Sequence, residues 1–128
     1  NSMWPLLVGG WDMVRLARLK RRVQPGDIAL YQKADGSYIL HRVIRLCAPE
    51  TCICCGDAQW EGEQVDEAQI IAYVTAFCRK GRWRETALSR PYRLYEYFWV
   101  HTFPARRPLL RLLRFLQRAR RGLIRGRR

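Results

Sequence analysis

Acidic side chains are scarce in this chain and absent from its carboxyl-terminal segment. Between Arg106 and Arg128 there are ten arginines and no Asp or Glu. The preceding residues carry 14 Lys and Arg against 11 Asp and Glu, so most of the net charge of +13 lies in this tail. A basic segment of this kind binds anionic surfaces, which leaves phospholipid headgroups, nucleic acid and acidic proteins as candidate partners.

A long apolar run is also missing. No stretch approaches the roughly 20 apolar residues that a transmembrane helix needs. The best candidate, residues 95–103, is short and contains Glu96 and His101. No signal peptide is recognisable, and a first residue Asn1 in place of Met predicts a processed or truncated product. We therefore expect a cytoplasmic protein, or one that is peripheral at a membrane surface.

The cysteines do not form a disulfide framework, because their number is odd and three of them are clustered. They are Cys47, Cys52, Cys54, Cys55 and Cys78. Structural zinc sites use two CxxC-like pairs or histidine partners. Here a strand would place Cys52 and Cys54 on one face and Cys55 on the other. We predict a reducing compartment, buried cysteines that act as small apolar residues, and no metal or cofactor.

Short runs of β-branched and aromatic residues, separated by turn signals, predict a mainly β fold. Pro25-Gly26 and Asp35-Gly36 are typical turn and hairpin sequences. The predicted strands are 12–16, 28–32, 38–46, 51–55 and 70–78. The last of these is so apolar that we expect both of its faces to be buried.

Helical periodicity begins after the β-rich part. Residues 92–103 predict a helix packed on the sheet, and a basic amphipathic helix follows from Pro108. Its leucines (Leu109, Leu112, Leu113 and Leu116) lie opposite its arginines (Arg111, Arg114, Arg118, Arg121 and Arg125). We predict a β-rich domain at 1–83 and a helical extension at 84–128. For the tail we favour an anionic membrane surface over packing on the β domain or a protein partner, and both over nucleic acid.

Three polar residues near apolar segments are candidates for chemistry. Ser2 precedes an apolar run, His41 interrupts an apolar strand, and Asp57 follows a glycine at a strand end. Taken singly, each has an ordinary explanation: Ser2 as a terminal serine, His41 as a hydrogen-bonded structural histidine and Asp57 as a turn residue. Taken together, they supply a nucleophile, a base and a carboxylate, the components of nucleophilic acyl transfer.

The order of five short segments strengthens this interpretation. SMWPLL, PGDIALY, HRV, GDA and IIAYV begin at residues 2, 25, 41, 56 and 70. Their succession resembles the signal peptidase I-like superfamily, in the branch that uses histidine as base, and it covers residues 1 to about 77. The resemblance implies a small β domain of coiled sheets, as in signal peptidases and LexA-type peptidases.

The resemblance also implies roles for individual residues. Ser2 matches the nucleophile, His41 the general base, and Asp57 the aspartate that supports the site. The residues matching the lining of the substrate cleft are Met3, Trp4 and Pro5. The N–H of Ser2 would help to bind the oxyanion, with a second donor at or before Asn1.

The chain departs from the family pattern at three places. Ala58 stands where Asn is usual after Gly-Asp, and Ala72 where Gly is usual after Ile-Ile. The further aspartate of histidine-type members is absent, which leaves Asp57, Glu61 and Glu63 as alternatives for the third member of the site.

The sequence therefore predicts a serine peptidase that cleaves a leader or precursor peptide through a Ser–His dyad and an acyl-enzyme. A LexA-type self-cleaving regulator is one alternative, but it would use a lysine base. None of Lys20, Lys33 and Lys80 lies where the superfamily places its lysine. The other alternative is a non-enzymatic β module that binds peptides or anionic surfaces through its arginine-rich tail.

Overall fold

The computed structural model describes residues 2–125, with side chains described as far as Leu123. Within this range seven strands form one antiparallel sheet, and two α-helices follow it. The strands are β1 (Met13–Arg18), β2 (Ile28–Gln32), β3 (Tyr38–Cys47), β4 (Thr51–Cys55), β5 (Glu63–Asp66), β6 (Ile70–Arg79) and β7 (Arg82–Glu85). The helices are α1 (Arg90–His101) and α2 (Arg106–Arg125).

The sheet is organised around β6, which pairs with β1, β2 and β7. The order across the sheet is β1-β6-β2-β3-β4-β5. Strands β2 and β3 form a hairpin, closed where the Lys33 N–H donates to the Ser37 carbonyl at 2.8 Å. Gly36 in this turn has φ +88°, a conformation that costs glycine little. Strands β3 and β4 pair with Arg42 opposite Cys55.

Two apolar clusters cover the two faces of the sheet. Tyr31 and Ala29 enter the first cluster, whereas their neighbour Ile28 enters the second, as expected from the alternation of side chains along a strand. The buried members of the first are Val23, Ala29, Tyr31, Val43, Cys52, Cys54, Val65 and Ile70. Those of the second are Met3, Leu6, Leu7, Ile28, Val74, Phe77 and Tyr92.

Helix α1 belongs to the second layer of the fold. The Ser89 hydroxyl accepts a hydrogen bond from the Tyr92 N–H at 3.4 Å and caps the helix, and Pro91 occupies its first turn. The side chains of Tyr92 and Trp99 are buried. Packing of these aromatic side chains therefore stabilises the helix, which would be only marginally stable on its own because it is short.

A buried ion pair joins β3, the loop after β4 and helix α1. The side chains of Arg42 and Asp57 are both 0% exposed. Arg42 Nε donates to Asp57 Oδ1 at 2.7 Å, and Nη2 donates to Oδ2 at 2.8 Å. Arg42 also donates to the Gly26 carbonyl, while the Tyr95 hydroxyl donates to Asp57 Oδ2 at 2.9 Å. Burial opposes the charge on Arg42, but attraction to Asp57 outweighs it and raises its pKa well above the ordinary value.

The expected β-rich fold with a helical, basic carboxyl-terminal part is confirmed, and the bounds predicted for β2 and β4 are those observed. Two strands were missed, β5 and β7. The expectation that 70–78 is buried on both faces is wrong at Ile71, which is 45% exposed. Strand β7 ends at Glu85, two residues beyond the domain boundary drawn at 83/84.

None of the helices described within residues 2–125 combines the length and apolar character required to cross a membrane. Helix α2 is long enough, at 20 residues, but it is rich in arginine.

Replacing Asp57 by Asn tests how much the buried ion pair contributes to the stability of the fold. The substitution leaves Arg42 charged, buried and without a counter-ion, so we expect it to lower the free energy of unfolding by about 3–5 kcal/mol. The measurement is urea denaturation. Glu67→Gln, which removes the partner of the half-exposed Arg22, is the control and should cost less than about 1 kcal/mol. Equal losses in the two variants would contradict this account.

Candidate functional site

Ser2 is docked on the loop that follows β4. Its carbonyl oxygen accepts a hydrogen bond from the Ala58 N–H at 2.7 Å. A Cβ atom added to Gly56 would lie 2.5 Å from this oxygen and 2.9 Å from the Ser2 Cβ. Only glycine therefore fits at position 56 while Ser2 occupies this place. This contact explains why the GDA segment begins with glycine.

His41 lies on β3, beside the same glycine. The register pairs Arg42 with Cys55, and its continuation by one residue brings Gly56 opposite His41. This continued register would place both Ser2 and His41 next to Gly56, although β1 and β2 lie between them in the sequence. No hydrogen bond joins their side chains among the interactions of residues 2–125. Such bonds between catalytic groups are often long in a free enzyme and shorten when substrate binds.

The His41 ring is held from one side by a chain of hydrogen bonds. Its Nδ1 lies 3.2 Å from the Tyr31 hydroxyl, which donates its proton to Glu63 Oε2 at 2.9 Å. A tyrosine hydroxyl has a single proton, so it accepts from His41 once it donates to Glu63. The hydrogen-bond network thus assigns the proton of the neutral imidazole to Nδ1 and leaves the lone pair of Nε2 free.

The free side of His41 suits a general base. Nε2 makes no hydrogen bond with the described residues, and it is not among their fully enclosed polar atoms that lack a partner. Burial lowers the pKa of His41 below its ordinary value, with Lys33 acting in the same direction and Glu63 and Asp57 opposing both. The ring is therefore neutral at physiological pH and able to accept a proton through Nε2.

Glu63 is the acidic residue that reaches His41, through Tyr31. Burial by itself would raise the pKa of Glu63, but hydrogen bonds from Lys33 and Tyr31 lower it below the ordinary value. The Lys33 Nζ lies 3.1 Å from Glu63 Oε1. Of the alternatives Asp57, Glu61 and Glu63, only Glu63 is connected to the histidine by hydrogen bonds.

Asp57 is expected to support the site, and its carboxylate is bound by residues other than His41. Both carboxylate oxygens are occupied, Oδ1 by Arg42 and Oδ2 by Arg42 and Tyr95. Its backbone carbonyl accepts from the Trp99 indole N–H at 3.1 Å. Asp57 does not orient His41; it fixes the Gly56–Ala58 loop on which Ser2 is docked.

The three residues expected to line the substrate cleft occupy different environments. Met3 is 5% exposed and packs in the second apolar cluster, so it is a core residue. Trp4 is half-buried. Pro5 borders a cleft of about 750 Å³ between the β6–β7 hairpin and the start of α1. The basic side chains that line this cleft are Arg79, Lys80, Arg82 and Arg84.

The partnership of Tyr31 with His41 was missed in the sequence, although a signal for it exists. The Asp35-Gly36 hairpin pairs Tyr31 with Ile39, which puts Tyr31 diagonally across from His41 on the same face. The connection to Glu63 depends on β5, a strand that the sequence pattern did not indicate.

Four of the five cysteines are buried, as predicted for small core residues, whereas Cys47 is only partly buried. Cys52, Cys54 and Cys55 are 0% exposed, and the sulfurs of Cys52 and Cys54 lie 3.7 Å apart on one face. Within residues 2–125, no three His, Cys, Asp or Glu side chains are grouped as a metal site requires.

Comparison of the chain with protein-family models, with curated proteins and with solved structures finds no match.

The pKa of His41 should respond in opposite directions to two substitutions. Glu63→Gln keeps an acceptor for Tyr31 but removes a charge that raises the pKa of His41, so the pKa should fall further. Lys33→Gln removes a charge that lowers it, so the pKa should rise. Proton NMR titration of the His41 ring measures both, with the His101 signal as internal reference. A shift in the same direction in both variants would refute the proposed electrostatics.

Proposed function

We propose that this protein is a serine peptidase of the signal peptidase I-like kind, which cleaves a leader or precursor peptide through a Ser2–His41 dyad. The single observation that carries the proposal is the position of Ser2 against Gly56, beside a histidine whose Nδ1 is held and whose Nε2 is free. Acyl transfer requires a nucleophile and a base with a free nitrogen near one another, and the placement of Ser2 against Gly56 supports this requirement.

The first chemical step joins Ser2 to the substrate. The Ser2 hydroxyl oxygen attacks the carbonyl carbon of the scissile peptide bond, and its proton passes to Nε2 of His41. The carbonyl π electrons move to the oxygen, where the Ser2 N–H donates to the developing charge. The imidazolium then gives the proton to the leaving amine, the C–N bond breaks, and an acyl-enzyme remains on Ser2.

The second step uses the same groups in reverse. Water attacks the acyl carbon while Nε2 of His41 takes its proton, and the Ser2 oxygen recovers a proton as the carboxylate product leaves. Tyr31 and Glu63 act as positioning residues in both steps, because they hold the Nδ1–H tautomer. An ionised Glu63 one hydroxyl away also stabilises the transient imidazolium.

The proposed substrate is an extended peptide, since a sheet with open edges binds a strand by main-chain pairing. Residues with small side chains beside the scissile bond are the expectation carried by the family resemblance. The cleft beside Pro5, between β7 and α1, is a candidate for part of the binding surface.

Two alternatives differ from this proposal in what they require. A self-cleaving regulator of the LexA kind would cut its own chain in the absence of added peptide. A non-enzymatic β module would have no use for a free Nε2 or for a serine docked on glycine. The hydrogen bond at Nδ1 and the absence of one at Nε2 among the described residues support the peptidase.

A serine-directed fluorophosphonate probe tests the nucleophile and the base together. We expect the wild-type chain to be labelled on Ser2, Ser2→Ala to remain unlabelled, and His41→Ala to react at least about a thousandfold more slowly. His101→Ala is the matched control and should react as the wild type does. Mass spectrometry of the intact and digested protein provides the readout. Labelling that is equal in all variants, or absent from all of them, would favour the binding module.

The same assay tests the contact between Ser2 and Gly56. Gly56→Ala adds a methyl group that collides with Ser2, and a displacement of about 1 Å costs on the order of 100-fold in rate. Gly122→Ala is the matched control, because nothing lies within 4 Å of the Cβ that it adds. Normal labelling of Gly56→Ala would show that the docked position of Ser2 is not the reactive one.

A further inference from the structure

Helix α2 is attached to the rest of the molecule along one side only. Leu110 and Arg106 are 0% exposed, and Arg106 Nη2 donates to the Trp99 carbonyl at 2.8 Å. About two turns after Arg106, Arg114 Nη2 donates to the Ala58 carbonyl at 3.1 Å. The positions 106, 110 and 114 are spaced by four residues, so they define the face of the helix that is turned to the sheet.

The apolar face of the helix is turned away from the sheet. Its large side chains are exposed although they are leucine and phenylalanine: Leu112 by 53%, Phe115 by 67%, Leu116 by 53% and Leu123 by 75%. Their spacing of three, four and seven residues aligns them in one stripe. Within the part of the chain that the structure describes, nothing covers this stripe.

The charges around the stripe favour one kind of binding partner. Helix α2 contains arginines and no acidic residue, and the basic composition continues to the end of the chain. Apolar side chains flanked by arginines are complementary to a surface with an anionic layer above an apolar interior. We propose that α2 lies in the plane of an anionic phospholipid membrane, with Leu112, Phe115, Leu116 and Leu123 inserted below the headgroups.

Other occupants fit the same surface less well. A second copy of this chain would bring two sets of arginines together with no acid on α2 to neutralise them. A nucleic acid would bind the arginines but would leave the leucine stripe in water. A membrane surface satisfies both the apolar side chains and the charges, and the inference is independent of the peptidase proposal.

The experiment is sedimentation of the full chain with sucrose-loaded vesicles. The anionic vesicles contain about 30% phosphatidylglycerol in phosphatidylcholine, and the neutral ones contain phosphatidylcholine alone. We expect the wild-type chain to bind the anionic vesicles and to bind the neutral ones much more weakly. The double variant Leu112→Gln/Leu116→Gln should lose at least about tenfold in partitioning, because it removes two inserted side chains.

The control is a second pair of exposed leucines outside α2. Leu16→Gln/Leu88→Gln should partition as the wild type does, since these side chains are 42% and 75% exposed but lie elsewhere. Glutamine is compatible with a helix, and neither Leu112 nor Leu116 is buried, so far-UV circular dichroism should report an unchanged fold. Size-exclusion chromatography is run on every variant.

Three results would overturn the proposal. The first is a wild-type chain that does not bind anionic vesicles even at low salt. The second is unchanged binding of Leu112→Gln/Leu116→Gln, which would mean that the arginines act without the stripe. The third is a wild-type dimer that this variant converts to a monomer, which would make a second copy of the chain the occupant.

Discussion

The arrangement of the molecule depends on the ion pair between Arg42 and Asp57. Two charges without access to water are stable only if their mutual attraction and their additional hydrogen bonds replace the lost hydration. Here the Tyr95 hydroxyl donates to Asp57, and the Gly26 carbonyl and the Tyr92 hydroxyl accept from Arg42. Because these partners come from three separate parts of the chain, the pair fixes β3, the loop after β4 and helix α1 relative to one another.

The Arg42–Asp57 ion pair also fixes the geometry of the candidate site. Asp57 stands between Gly56, against which Ser2 packs, and Ala58, which holds the Ser2 carbonyl. Arg42 is the immediate neighbour of His41 on β3. The ion pair therefore lies one residue from His41 and one residue from Gly56, and the carboxylate connected to the histidine through Tyr31 is that of Glu63 on β5.

The sequence allowed much of the fold to be predicted, for reasons that are local. Pro25-Gly26 and Asp35-Gly36 favour turns, and the short β-branched and aromatic runs beside them favour paired strands. Strands β5 and β7 escaped prediction because they are short and supply little apolar surface. Only Val65 of β5 is buried, and all four residues of β7 are exposed. Their strand form comes from pairing with β4 and β6, which a single segment does not reveal.

The functional residues divide in the same way. Ser2 and His41 are candidates from motif order, whereas the contacts of Tyr31, Glu63 and Asp57 depend on which side chains meet across the sheet. Helix α2 is a further case. Its periodicity showed an apolar and a basic face, but not which of them turns to the sheet. The contacts of Arg106 and Arg114 with backbone carbonyls decide that the leucine stripe faces outwards.

The central claim is that Ser2 and a neutral His41 exchange a proton across the position of Gly56. Nitrogen-15 NMR of the His41 ring, recorded before and after a peptide boronate forms a tetrahedral adduct on Ser2, measures this most directly. The account predicts a neutral ring with its proton on Nδ1 in the free protein and a protonated imidazolium in the adduct. A proton on Nε2 in the free protein, or an adduct on Ser2 that leaves the His41 signals unchanged, would contradict it.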